Sequence, residues 1–162
     1  MSARIRRPFD LAPHPEGGFY KETYRAAERV VGAGGRNRSA ATSIHFLITP
    51  GSVSRIHRVA ADEIWNFHLG GPMTVVELSG RGAVTTSLGS DVLGGVQQVQ
   101  HVVKAGTWFG SFPDAGTAFT FVGCTVSPGF EFEDFELGSR AKLLEDFPDA
   151  RELIIKLTEG LP

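Results

Sequence analysis

Four residues are spaced so that a strand, a reversal and a second strand would bring an imidazole to a carboxylate: Gly51, His57, Glu63 and Gly70, in GSVSRIHRVAADEIWNFHLG. An imidazole with an ordinary pKa of about 6.5 can take and return a proton near neutrality, and a carboxylate beside it can fix its tautomer. Abstraction of a proton beside a carbonyl, then its return to another face or another carbon, is epimerase or isomerase chemistry. The same two residue types also ligate divalent ions. His57 and Glu63 are therefore the candidate catalytic pair and the candidate metal ligands. Asp134, from the acidic tail, is a second candidate to orient the imidazole and a candidate ligand contact.

The elements that must position this pair read as follows. Thr49-Pro50-Gly51 is a turn that launches a strand carrying His57. Val59 to Asp62 reverses the chain, and Glu63 to Leu69 returns antiparallel and stops at Gly70-Gly71-Pro72. Strict alternation groups Arg55 with His57, and Trp65 and Phe67 with Glu63. If both faces point inward, Trp65, Phe67 and Phe109 form an apolar wall for a stacked ligand, and Arg55, ahead of Arg58, holds an anionic group such as phosphate.

Upstream, residues 8–18 carry three prolines and a glycine pair and read as an ordered loop. Phe19 to Tyr24 alternates as a strand, Ala26 to Arg38 is a glycine-rich charged surface loop, and Ala41 to Thr49 is a buried strand. Downstream, Met73 to Ser79, Ala83 to Leu88, Val96 to Lys104 and Gly116 to Val126 read as strands separated by glycine turns. Phe130 to Glu136 alternates aromatic and acid. From Ser139 the pattern turns helical: Ser139 suits a cap, Pro148 a first turn, and Leu153, Ile154 and Leu157 one apolar face.

The whole chain of 162 residues fits one domain, with residues 1–10 as a flexible N-terminus and 139–160 as C-terminal helices. Twenty glycines, nine prolines and twelve phenylalanines favour many short strands joined by tight turns, a mainly β fold with a short helical C-terminus. A net charge of −2 gives no electrostatic motive for nucleic acid or an anionic membrane. Arg4, Arg6 and Arg7 read as a solvated tail. Cys124 is the sole cysteine, which leaves no intramolecular disulfide and no thiolate zinc site. Without a transmembrane run or a signal-peptide core, the expected location is cytoplasmic.

The spacing of Gly51, His57, Glu63 and Gly70 resembles the first conserved motif of the cupin superfamily, except that Val59 stands where that motif has its second histidine. His14-Pro15-Glu16-Gly17-Gly18-Phe19-Tyr20, then Glu22-Thr23-Tyr24-Arg25, is similar to the N-terminal signature of its type-5 branch (domain of unknown function 985). His57-Arg58, Asp62-Glu63-Ile64-Trp65, Gly106-Thr107-Trp108 and the run from Val122 to Phe130 leading to Phe132 and Phe135 extend the resemblance from Leu11 to the final helix.

That resemblance implies a cupin jelly-roll β-barrel, a homodimer with a deep pocket, and a small-molecule ligand. Similar barrels occur in nucleotide-sugar epimerases and phosphosugar isomerases, so carbohydrate chemistry is implied for this branch. A cupin metal centre uses three histidines and a glutamate. Here Val59 replaces the second histidine, and Phe109 stands three residues after Gly106 where the last is expected. His68 is a third candidate ligand that alternation puts on the opposite face from Glu63, and His45 and His101 lie on neighbouring strands. Glu16, Glu22 and Arg25 are expected to brace the N-terminal strand against the barrel, and Phe132 and Phe135 to pack on the barrel or a dimer partner. Three functions follow: a sugar or sugar-nucleotide isomerase or epimerase with His57 as acid and base, a non-catalytic binder of a nucleotide-like or carbohydrate ligand, and a metal-dependent oxygenase.

Overall fold

Period-two patterning becomes two facing sheets. In Met73–Ser79, Met73 and Val75 enter the core between the sheets while Val76 and Leu78 pack outward. The computed structural model describes residues 5–159. One sheet is ordered β1 (Ala12–Pro13), β2 (Phe19–Arg25), β5 (Thr42–Ile48), β13 (Thr120–Ser127), β7 (Asp62–Gly70), β11 (Gln100–Val103). The other is ordered β10 (Gln97–Gln98), β9 (Gly82–Leu88), β8 (Met73–Ser79), β12 (Phe109–Pro113), β6 (Ser54–Val59), β14 (Phe135–Leu137). Strands β3 (Arg29–Val31) and β4 (Asn37–Ser39) form a separate hairpin. The result is a mainly β jelly roll.

Apolar side chains fill three layers. Phe46, Ile48, Trp65, Met73, Phe109 and Val122 belong to the core between the sheets. On the outside of the second sheet, Ile56, Val76 and Leu78 meet the C-terminal helices α1 (Arg140–Asp146) and α2 (Arg151–Leu157) through Leu143, Ile154 and Leu157. On the outside of the first, Leu11, Leu47 and Phe121 pack together. Ile154 is fully buried, so Ile154→Ala deletes three carbons from a site with no water to replace them. A loss of about 3 kcal/mol is expected, read as a lowered urea midpoint at unchanged slope. No helix among the described residues is long and apolar enough to cross a membrane.

Several segments differ from the expectation drawn from pattern alone. Strands β6 and β7 do not pair as a hairpin: β6 lies between β12 and β14, and β7 between β13 and β11. The reversal at Ala60-Ala61 carries the chain from one sheet to the other, so His57 and Glu63 project from opposing sheets. Val96–Lys104 likewise divides. Gln97 and Gln98 pair parallel with Ser87 and Leu88, and beyond Val99, which accepts a bond from Phe67 N–H, the chain joins the other sheet. The expected loop Ala26–Arg38 instead holds most of the β3–β4 hairpin, which runs on to Ser39, with register Arg29↔Ser39 to Val31↔Asn37. Ser139 occupies the N-cap of α1 without a side-chain cap bond, and Pro148 opens a short 3-10 turn ahead of α2. Arg4 and Gly160 lie outside the described residues.

Candidate functional site

Gly17 and Gly18 let the segment before β2 turn inside the jelly roll. Both have positive φ, 110° and 68°, and Gly17 N–H bonds back to the His14 carbonyl at 3.0 Å. A Cβ on Gly17 would stand 2.1 Å from the Val53 carbonyl oxygen, so only glycine allows this close approach to β6. Arg55 N–H donates to the Glu16 carbonyl at 2.8 Å, which fixes Glu16 over the start of β6. The Glu16 side chain is then buried against β6. Its Oε1 accepts from Ser54 Oγ at 2.7 Å, and its Oε2 lies 3.2 Å from His57 Nε2 and 3.4 Å from His14 Nδ1.

A bulge in β6 makes that convergence possible. Phe109 opposes His57 and Ser111 opposes Ser54, so one residue of β12 faces two of β6, Arg55 and Ile56. Ser54 and His57 thereby share the inward face although three positions apart, and Ile56 joins the outer layer. The alternation that grouped Arg55 with His57 is broken at this point. Arg55 contributes its backbone instead: its carbonyl accepts from His57 Nδ1–H at 2.7 Å. With Nδ1 protonated, Nε2 of neutral His57 is a bare acceptor that faces Glu16 Oε2. Burial pushes His57 down to about 4 and Glu16 upward, so desolvation favours the uncharged form of each. Phe109 at 4.2 Å and Phe135 at 5.2 Å between ring centroids pack the imidazole.

Glu63 reaches the same cavity from β7. Burial, and then the like charge of Glu16, raise it to about 8, against a smaller opposing pull from Cys124 and Trp65. At neutral pH it is an O–H donor in the wall, while burial and the neighbouring acids hold the Cys124 thiol protonated. Trp65 is close enough to Glu63 to act on it, yet its Nε1–H has no hydrogen-bond partner.

The cavity measures about 320 Å³ and is lined among others by His14, Glu16, Tyr20, Phe46, His57 and Glu63. That is the small end of the roughly 300–1,000 Å³ usual for ligand pockets. The tail covers one side through Phe130, Glu131 and Phe132. Arg25 also lines it. It donates to both Glu22 carboxylate oxygens at 3.0 and 2.8 Å, to Glu131 at 2.6 Å and to the Phe130 carbonyl at 3.2 Å.

The expected site residues are thus redistributed. His57 and Glu63 line the cavity together. Trp65 and Phe109, 1% and 0% exposed, belong to the core rather than the cavity wall, because each is enclosed by both sheets. Phe67 is partly buried against the same core and does not line the cavity. Asp134 is held by Arg38 at 2.7 Å and by Arg36 at 2.9 Å, away from His57. His68 is exposed on the other face of its sheet, edge-on to His45 and tilted against Phe121. His101 pairs with Glu77 at 2.6 Å between the sheets. Arg58 pairs with Glu136 and lies over the Trp108 ring.

These placements do not fit a cupin metal. Val59 and Phe109 offer no donor, His57 Nδ1 is bonded to a carbonyl while its Nε2 faces Glu16, and among the described residues no three His, Cys, Asp or Glu side chains converge as a metal-holding group. Sequence reasoning passed over Glu16 and His14 as site residues, grouping Glu16 with Glu22 and Arg25 as a brace. In the structure Glu22 and Arg25 clamp the tail, while Glu16 stands apart with His57. The signal was present in the Gly17-Gly18 pair, which marks backbone that must approach another strand closely.

A protein of Leishmania major described only as hypothetical is 33% identical and superposes with a TM-score of 0.89, covering 97% of this chain and 98% of that one. A Shewanella oneidensis protein is 38% identical with a TM-score of 0.86, covering 96% of each chain. Oxalate decarboxylase of Bacillus subtilis is 12% identical with a TM-score of 0.57; it covers 94% of this chain, which spans 38% of that one, and it shows the fold alone. No curated protein matches. The sequence pattern described as Cupin superfamily (DUF985) matches residues 4–138, nearly the whole jelly roll with its cavity, and the chain belongs to that family.

Proposed function

We propose that the cavity binds a small polar, carbonyl-bearing molecule of monosaccharide size and moves protons on it as an isomerase or epimerase. The observation that carries this reading is the pair of buried carboxyls, Glu16 and Glu63, brought to one cavity from opposite sides with an imidazole behind the first. Acid–base work requires carboxyls whose surroundings raise their proton affinity, and burial raises both, Glu63 to about 8. In the forward half-reaction the C–H proton beside the carbonyl passes to Glu16, whose own proton moves to His57 Nε2. Glu63 gives its proton to the carbonyl oxygen. Reversal at the other carbon, or from the other face, returns all three protons. His57 is then the proton store that acts through Glu16.

Deuterium exchange tests it. Aldoses and ketoses incubated with the protein in D2O should gain deuterium beside the carbonyl, and Glu16→Gln or His57→Ala should slow this by about 10²-fold or more. Exchange undiminished in Glu16→Gln would remove Glu16 as the base. A non-catalytic binder is the second reading, favoured by the fact that both His57 nitrogens already hold partners. Binding by calorimetry without any exchange would select it.

A further inference from the structure

The cavity rim carries a charge arrangement that limits what can enter. Among the described residues that line the cavity, Arg25 is the one lysine or arginine. Its guanidinium is bidentate on Glu22 and bonded to Glu131, at a rim where the three side chains are 35%, 42% and 36% exposed. One positive and two negative charges leave the rim with a net charge of −1. The neighbouring cations on that side are engaged in the same way: Arg38 with Glu133 and Asp134, Arg36 with Asp134, and Arg58 with Glu136. Deeper inside, the lining groups that ionise are the carboxyls of Glu16 and Glu63, the imidazoles of His14 and His57, the Cys124 thiol and the Tyr20 phenol; only the imidazoles can turn positive, and burial lowers both.

Among the described lining residues, an anionic group entering here meets no free counter-charge. To use Arg25 it must displace a carboxylate that already makes two parallel bonds. We propose that the cavity selects ligands bearing no phosphate or carboxylate, and that Glu22 and Glu131 enforce this by occupying Arg25. The proposal rests on the reading of the cavity as a ligand site, and it narrows that ligand to an uncharged carbonyl or polyhydroxy compound. Sugar phosphates and nucleotide sugars are excluded, and the Arg55 and Arg58 expected as phosphate holders do not line the cavity. Discrimination of this kind comes from a repulsive element as much as from attraction.

The test uses inorganic phosphate and pyrophosphate as probes, titrated by calorimetry at fixed ionic strength. Wild-type protein should show no binding that is lost in Arg25→Gln. The double variant Glu22→Gln/Glu131→Gln should bind pyrophosphate at least about 10-fold more tightly than wild type, and adding Arg25→Gln should erase the gain. These rim residues are partly exposed, and each single variant, Glu22→Gln or Glu131→Gln, should give part of the gain if the double variant folds poorly. Arg25-dependent phosphate binding by wild type would overturn the proposal, and so would a folded double or single variant that gains nothing. Failure of the carbonyl-compound reading shows separately, as absence of deuterium exchange and of binding by neutral sugars, because the phosphate probe needs only the rim.

Discussion

Gly17→Ala is expected to cost about 4 kcal/mol or more. Two costs combine. The residue holds φ at 110°, where an L side chain is strained by roughly 1–3 kcal/mol. Its new Cβ would stand 2.1 Å from the Val53 carbonyl oxygen, a backbone atom that cannot rotate away as a side-chain end could. Relief requires the 14–18 turn to lift from β6, which breaks the bond from Arg55 N–H to the Glu16 carbonyl and draws Glu16 off Ser54 and His57. Gly51 is the natural control. It also has positive φ, 78°, but a Cβ there meets nothing within 4 Å, so Gly51→Ala should cost only about 1–2 kcal/mol. Urea unfolding of both variants decides the matter. Equal midpoints would mean that the steric term at Gly17 is absorbed cheaply and that the turn is not what fixes Glu16.

Glu63→Gln is expected to flatten the pH dependence of stability above neutrality. Glu63 is raised from an ordinary 4.5 to about 8, so between those values the folded state holds a proton the unfolded chain has released. Its contribution is therefore fully present below about pH 4.5, falls as pH rises, and is gone by about pH 8. His57 works in the opposite sense. Lowered from 6.5 to about 4, it contributes stability above pH 6.5 that is lost as pH falls toward 4. The two slopes oppose each other between about pH 4.5 and 6.5, and only the Glu63 slope remains from there to 8. Over that interval of about 1.5 pH units, wild type should lose on the order of 2 kcal/mol through Glu63, or about 4–8 °C in Tm. Thermal melts at pH 6.5 and 8 check this. An identical drop in both proteins would show that Glu63 ionises near its ordinary value and is no proton donor at neutrality.

Much of the fold was legible because period-two patterning and glycine turns are local properties. Met73–Ser79 was read with its observed bounds, and Thr42–Ile48 lies within the run expected for that strand. Partner choice was less legible. A reversal such as Ala60-Ala61 looks the same whether it closes a hairpin or crosses between sheets, since the difference lies in which strands satisfy the backbone donors on each edge. The bulge at Arg55-Ile56 is likewise silent in sequence, because it depends on the register that β12 imposes. For that reason parity named Arg55 as an inward residue, while Ser54 and His57 are the ones that meet at Glu16.

The amino-acid sequence by itself determined the family and the jelly-roll class and singled out His57 and Glu63, which line one cavity, because motif spacing and alternation are written in the order of the chain. Tertiary structure alone decided that Glu16, some forty residues earlier, is the partner of that imidazole. It also decided that Trp65 and Phe109 are core, and that Arg25 is already held by two acids. Burial and ion pairing depend on what the rest of the chain brings to a side chain, and those neighbours set both the protonation of the cavity wall and the charge of its rim.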